Sequence, residues 1–414
     1  ETRERGLHVA EPMLSVEEAQ KRVLDVFQPL EAERVPILEA TGRVLAEDIR
    51  ANVDIPPHAN SSMDGYAVQA ADTATASPDS PAGLRVIGEL PAGYIPEQKV
   101  RAGTAIRIMT GAPIPPGADA VVKVEDTEAE DGFVDVLTPV EPGNYVRPAG
   151  EDVRRGTLVL HRGTRLRPQE IGMLAALGNT QVPITRRPRV AILATGDELV
   201  PIEESLPPGK IRNTNSYSNA AQVIKHGGEP ILLGIARDTV AELTAKVEAG
   251  LNQDVDLFLT SGGVSVGDFD LVKDVLATEG EMDFWRVRMK PGKPLAFGHI
   301  REVPILGLPG NPVSVMVSFE MFARPALLKM QGVEDWERST VEATLIDEIP
   351  HKDERRHFVR VRLVWEDDEY HAYLTGAQGS GILSSMVKAN ALAIIPEDWD
   401  RASSGARVQV MLLD

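Results

Sequence analysis

Between residues 189 and 308 the chain alternates short apolar runs with amphipathic ones, and this alternation constrains the fold more than any other feature. Residues 190–194, 231–235, 255–260 and 303–308 read as strands. Helical segments are predicted between them around 216–226, 239–251 and 268–278, the second opened by a capping box of Thr239 and Glu242. Parallel strands need a long crossover, usually helical, so the pattern predicts an open parallel α/β sheet. Ligands of such sheets bind outside the carboxyl ends of the strands, which makes the strand-to-helix loops the first place to look for chemistry.

The flanking segments follow other periods. Ser15-Val16-Glu17-Glu18 is a capping box, and Ala19, Val23, Val26, Phe27 and Leu30 continue one apolar helical face. Short β-rich runs at 85–87, 105–109, 120–124 and 133–137 alternate with proline- and glycine-rich turns and predict a small β domain over 52–139. A helix opening at Pro168 and stopping at Gly178 then joins 13–51 with 140–180 into one discontinuous helical or elongated domain. The α/β domain covers 181–332. Strand-like segments at 340–346, 358–365, 370–374, 391–395 and 407–412 predict a C-terminal β barrel or sandwich over 333–414. With 414 residues the chain is long enough to give such a multidomain α/β protein several apolar cores.

Composition removes whole classes of chemistry. There is no cysteine, which excludes thiolate catalysis, zinc–thiolate sites and a disulfide scaffold, and makes the cytoplasm the expected location. The balance of 43 basic against 62 acidic residues, a formal charge of −19, disfavours nucleic acid and anionic membranes as partners. No apolar run reaches the roughly 18 residues of a membrane span, and residues 1–12 are charged, so a soluble, unanchored protein is expected.

Three polar loops end predicted strands: Thr195-Gly196-Asp197-Glu198, the run from Thr260 to Asp268, and Leu308-Pro309-Gly310-Asn311-Pro312. Glycine permits close backbone approach, and amides at a helix start favour anions. Ser261, Gly262, Gly263, Ser265 and Gly267 therefore form the candidate phosphate loop, with a tight ligand-free turn as the competing reading. Neither a G-x-G-x-x-G fingerprint nor a Walker A sequence occurs, which argues against a dinucleotide dehydrogenase and an ordinary P-loop enzyme. In Phe284-Trp285-Arg286-Val287-Arg288-Met289-Lys290 the alternation puts three cations on one face, with Lys293 following; an anion site or a charged edge strand would explain it. Asp64, Asp152, Asp197, Glu198, Asp238, Asp268 and Asp270 lie at the ends of elements, where each also suits a cap or turn. Two carboxylates about 4 Å apart repel by roughly 4 kcal/mol at an effective dielectric near 20, so any that converge need a cation or raised pKa values. Without cysteine or an H-x-x-x-H pair, oxygen-ligated Mg²⁺ is the natural candidate.

In order along the chain, Asn60-Ser61-Ser62-Met63-Asp64-Gly65-Tyr66-Ala67-Val68, Ile108-Met109-Thr110-Gly111-Ala112, Gly150-Glu151-Asp152, Thr195-Gly196-Asp197-Glu198-Leu199, Ser261 to Gly267, Lys290-Pro291-Gly292-Lys293-Pro294 and Gly307-Leu308-Pro309-Gly310-Asn311-Pro312 resemble the MoeA family, which includes the E domain of gephyrin. The match runs from about residue 13 to the C-terminus. The resemblance implies a MogA-like α/β domain and Mg²⁺-assisted insertion of molybdate into adenylylated molybdopterin with release of AMP. It also implies a homodimer whose cleft takes the small β domain from the partner chain. Asp64, Thr110, Asp152, Glu198, Asp238 and Asp270 match the family's acidic and hydroxyl positions, and Glu198, Asp238 and Asp270 are the expected metal ligands. Lys290, Lys293, Pro309 and Pro312 match its lysine and proline-loop positions, and Ser380 a polar position in the terminal domain. Asp268 stands where some relatives carry glutamate. Two other readings remain: an interaction scaffold of the gephyrin E-domain type, and a molybdopterin adenylyltransferase, which otherwise is expected as a transient partner.

Overall fold

A computed structural model describes residues 13–262, 280–350 and 353–413. Six strands form the α/β sheet in the order Glu229–Ala236, Arg189–Thr195, Leu257–Ser261, Val303–Leu308, Pro294–Ile300 and Gly280–Arg286. The first four are parallel, as the alternation predicts, and Pro294–Ile300 pairs antiparallel with both Val303–Leu308 and Gly280–Arg286. The sheet is therefore mixed. The reason is local: Ile300 pairs with Val303, and Arg301 at φ 53° makes the tight turn of a hairpin, too short for any crossover. The helix predicted at 268–278 lies outside the described residues.

Helices Asn215–Lys225 and Val240–Leu251 pack on the sheet, and the run of Pro312–Ser318, a π-helical turn Phe319–Ala323 and Arg324–Met330 fills the main core with Phe319, Phe322 and Leu327. The helix Val16–Leu24 joins this same core through Val16, Ala19 and Val23. Its cap forms as expected, Glu18 donating its N–H to Ser15 Oγ at 3.1 Å, but the Gln20 amide reaches Met321 O at 2.8 Å. By packing it belongs with the α/β unit, whereas the core of the discontinuous unit is built by residues 40–51 and 153–184. That unit contains the helix Pro168–Ala176 and antiparallel ribbons, among them Ala32–Pro36 with Gln181–Thr185.

The small β unit is a six-stranded sheet in the order Ala120–Lys123, Gly65–Val68, Thr104–Ile108, Ala82–Leu90, Phe133–Val136 and Thr127–Glu130, with separate apolar clusters formed by alternate residues such as Tyr66 and Ala67. At the C-terminus, Arg356–Glu366, Glu369–Leu374, Thr340–Leu345, Arg407–Leu412 and Ala391–Ile395 pair in that order, and the last pairs back with the first to close a five-stranded barrel. The cationic segment links the two units. Arg286 ends the edge strand of the α/β sheet, and Met289–Lys290 then pairs with the barrel strand, Lys290 opposite His357. Val287 and Met289 are buried while Arg286, Arg288 and Lys290 are exposed, so the predicted alternation holds across the junction. Among the described residues no helix is long and apolar enough to cross a membrane.

Candidate functional site

Where the carboxyl ends of the parallel strands face the barrel, a cleft of about 620 Å³ opens. Its floor is set by glycines whose geometry no other residue would share. Gly262 has φ 91°, and a Cβ there would lie 2.6 Å from the Thr195 carbonyl oxygen. Gly292 has φ 102°, and its Cβ would lie 2.6 Å from Ser318 Oγ, so Lys290 and Lys293 flank a backbone pressed onto the helix beneath. The barrel side is tied down by Ser380, which accepts from Asn311 Nδ2 through Oγ and from the Val313 N–H through its carbonyl, both at 3.0 Å.

Two faces of opposite charge meet in this cleft. Glu198 and Asp238, from the loops after Arg189–Thr195 and Glu229–Ala236, line one part. Among the described residues neither carboxylate has a cation within salt-bridge distance, although the Asp238 carboxylate accepts the Asp197 N–H at 3.3 Å. The hydroxyls of Thr195 and Ser261, buried at the ends of Arg189–Thr195 and Leu257–Ser261, have no hydrogen-bond partner among the described residues. Lys290, Lys293, Arg355 and Arg360 line the other part. Arg360 is only 2 % exposed; its Nε donates to Ser385 Oγ at 3.1 Å and its Nη2 to Gly379 O at 3.1 Å. No carboxylate pairs with it among the described residues, and burial pushes the guanidinium pKa down to about 10. A buried cation with neutral partners alone is costly unless an anion completes it.

The structure thus brings together Glu198, Asp238, Gly262, Lys290, Lys293, Pro309 and Ser380 from the sequence-predicted set. Ser261 lies buried behind Gly262, and Pro312 occupies the first turn of its helix, outside the lining. Asp64, Thr110 and Asp152 do not line the cleft of their own chain. Asp64 instead accepts from the Thr110 N–H at 2.7 Å and Oγ1 at 2.8 Å, hydrogen bonds that hold its carboxyl below the usual carboxylate range. Gly263, Ser265, Gly267, Asp268 and Asp270 lie outside the described residues. Arg355, His357 and Arg360 do not stand out in the sequence: Arg355 precedes the strand Arg356–Glu366, the other two lie within it, and only the fold turns them toward the cleft.

A mixed α/β unit joined to a closed five-stranded barrel, with a cleft lined by both carboxylates and cations, defines a multidomain α/β protein. Its N-terminal part, residues 14–178, matches the MoeA N-terminal region (domain I and II), residues 191–329 match the probable molybdopterin binding domain, and residues 342–413 match the MoeA C-terminal region (domain IV). A molybdopterin molybdenumtransferase of Nostoc is 38 % identical, covering 98 % of this chain and 95 % of its own, and the Bacillus subtilis enzyme of that name is 36 % identical over 97 % and 94 %. The crystal structure of the molybdopterin biosynthesis MoeA protein of Pyrococcus horikoshii superposes with a TM-score of 0.84 at 37 % identity, covering 97 % of this chain and all of that one. The chain belongs to the molybdopterin molybdenumtransferase (MoeA) family.

Proposed function

We propose that the chain is a molybdopterin molybdenumtransferase of molybdenum cofactor biosynthesis, inserting molybdate into adenylylated molybdopterin with release of AMP. The observation that carries this reading is the buried Arg360 guanidinium, without a carboxylate partner among the described residues, in a cleft that also holds Lys290, Lys293 and Ser380. A compact doubly charged oxyanion suits that part, because Lys290 and Lys293 act as mobile point charges while Arg360 offers a fixed donor. The relatives' shared name supports the reading.

Mg²⁺ fits the other part of the cleft. Among the described residues the donors there are the Glu198 and Asp238 carboxylates and the unpartnered Thr195 hydroxyl, all oxygen, as this hard cation requires. Such an ion, held by Glu198 and Asp238 together with waters and phosphate oxygens, would neutralise phosphate charge and polarise the bond to AMP. The chain's own contribution is placement. The Thr195–Glu198 and Leu308–Asn311 loops present polar groups to the substrate, and the lysines keep molybdate apart from the carboxylates, which would repel it. We further propose a cytoplasmic homodimer that meets the adenylyltransferase transiently to receive its product, with Asp64 and Thr110 serving the partner's cleft.

The test incubates purified protein with adenylylated molybdopterin, molybdate and Mg²⁺ and follows AMP. Release that requires both molybdate and Mg²⁺ supports the transferase; consumption of ATP with free molybdopterin would mark an adenylyltransferase, and no turnover of either substrate a scaffold.

A further inference from the structure

Behind the cationic wall lies one carboxylate that the transferase reading leaves unused. Asp353 receives Arg355 in a fork, Nε to Oδ1 at 2.9 Å and Nη2 to Oδ2 at 2.8 Å, while His357 Nε2 stands 3.1 Å from Oδ1. Lys290 Nζ, which reaches it from the strand Met289–Lys290 that pairs with the barrel, stands 3.5 Å from Oδ2. Lys290, Arg355 and His357 all line the cleft; Asp353 is not among the lining residues, its side chain 32 % exposed. The Arg355 fork, with His357 beside it, holds the Asp353 carboxyl far below the usual carboxylate range, so it stays charged throughout the working pH range.

We propose that Asp353 is an internal counter-anion of the cleft, pairing with Arg355 and Lys290 when no oxyanion is bound and competing with the oxyanion for them when one enters. It is a residue that sets affinity, not one that touches the reacting atoms. The proposal rests on the reading that the Lys290 and Arg360 part of the cleft takes a tetrahedral dianion. Geometry favours competition over simple support. The fork uses both Asp353 oxygens on a guanidinium that faces the cleft, while Lys290 is held loosely, at the limit of hydrogen-bond distance and with its side chain 48 % exposed. A dianion at the wall can therefore draw Lys290 away, and what it gains is lowered by the attraction that Asp353 gives up. The consequence is a site that captures the anion yet releases it.

A carboxylate that merely stiffened the wall would leave weaker binding on removal. An internal competitor leaves tighter binding. Removing one negative charge from the neighbourhood of a bound dianion predicts a tightening of roughly severalfold at low ionic strength, fading as salt approaches physiological strength and above. The experiment titrates the full-length protein with sodium molybdate, and separately with tungstate, by calorimetry at two salt concentrations, using wild type, Asp353→Asn, Asp353→Glu and Lys290→Ala. Tighter binding by Asp353→Asn at low salt, affinity near wild type for Asp353→Glu and weaker binding by Lys290→Ala support the proposal. If wild type binds and Lys290→Ala weakens it while Asp353→Asn is unchanged or weaker, the counter-anion role is overturned and the oxyanion site stands. If wild type binds neither oxyanion, or Lys290→Ala binds as well as wild type, the site reading fails and takes this proposal with it. Since damage to the fold weakens binding, a tighter Asp353→Asn cannot be an artefact of misfolding.

Discussion

Gly196 has φ 142°, and a Cβ built on it would lie 2.4 Å from Glu198 Oε2, so the carboxylate folds back over its own loop at the end of the strand Arg189–Thr195. Two substitutions separate the charge from its placement. Glu198→Gln removes charge with little change in volume, and Gly196→Ala leaves the charge but strains the loop backbone and forces the Glu198 side chain away. Both are expected to slow Mg²⁺-dependent AMP release by about a hundredfold or more, as the loss of an electrostatic group in an active site does. Melting temperatures near wild type would confirm that the fold is kept; unchanged release by Glu198→Gln would remove it from the mechanism. Arg360 offers the complementary case. Arg360→Lys retains a cation but loses the fork that bonds Ser385 and Gly379. The half-saturating molybdate concentration should rise by about tenfold, read from the same AMP assay.

At the scale of elements, the helix Val240–Leu251 approaches the sheet through Gly250, where a Cβ would meet the Phe258 ring at 2.6 Å and Leu233 Cδ1 at 2.9 Å. Alanine would gain about 1 kcal/mol of helix propensity but overpack this contact by about 1–3 kcal/mol. Gly250→Ala should therefore destabilise in urea unfolding, and adding Phe258→Leu should cost less than the sum of the two single changes. The helix Pro168–Ala176 depends on pH through Glu170, which accepts both Arg167 Nε and Nη2 as well as the Arg167 N–H. Those bonds, the guanidinium ones first, lower its pKa from 4.5 to about 2. A folded value below the unfolded one means that the contribution is present above about 4.5 and is lost as pH falls through about 2. The stability gap between wild type and Glu170→Gln should be widest at neutral pH and narrow as the solution is acidified, followed by unfolding midpoints.

For the whole molecule, the separation of Asp64 and Thr110 from the cleft of their own chain predicts complementation between subunits. A two-fold dimer would place the small β unit of one chain over the cleft of the other. Mixing inactive Asp64→Ala with inactive Glu198→Ala under exchange should rebuild one intact cleft per heterodimer and restore activity toward half of wild type in that species. Heterodimers that form without recovery would refute the shared cleft. The sequence by itself determined what is local. Strand and helix periods, the glycines at Gly262 and Gly292, the Pro168 helix start and the Lys290-Pro291-Gly292-Lys293 motif follow from backbone sterics and side-chain spacing over a few residues. The tertiary structure decided what depends on distant partners. It sent the helix Val16–Leu24 to the core around Phe322, and it turned the sheet antiparallel beyond Val303–Leu308. It also chose between Arg360 and Arg362, which share a strand face in sequence. In the folded chain Arg360 is buried and lines the cleft, while Arg362 stays exposed over the Tyr373 ring. A period of two places a side chain on a face, but which part of that face loses its water is set by the element packed against it.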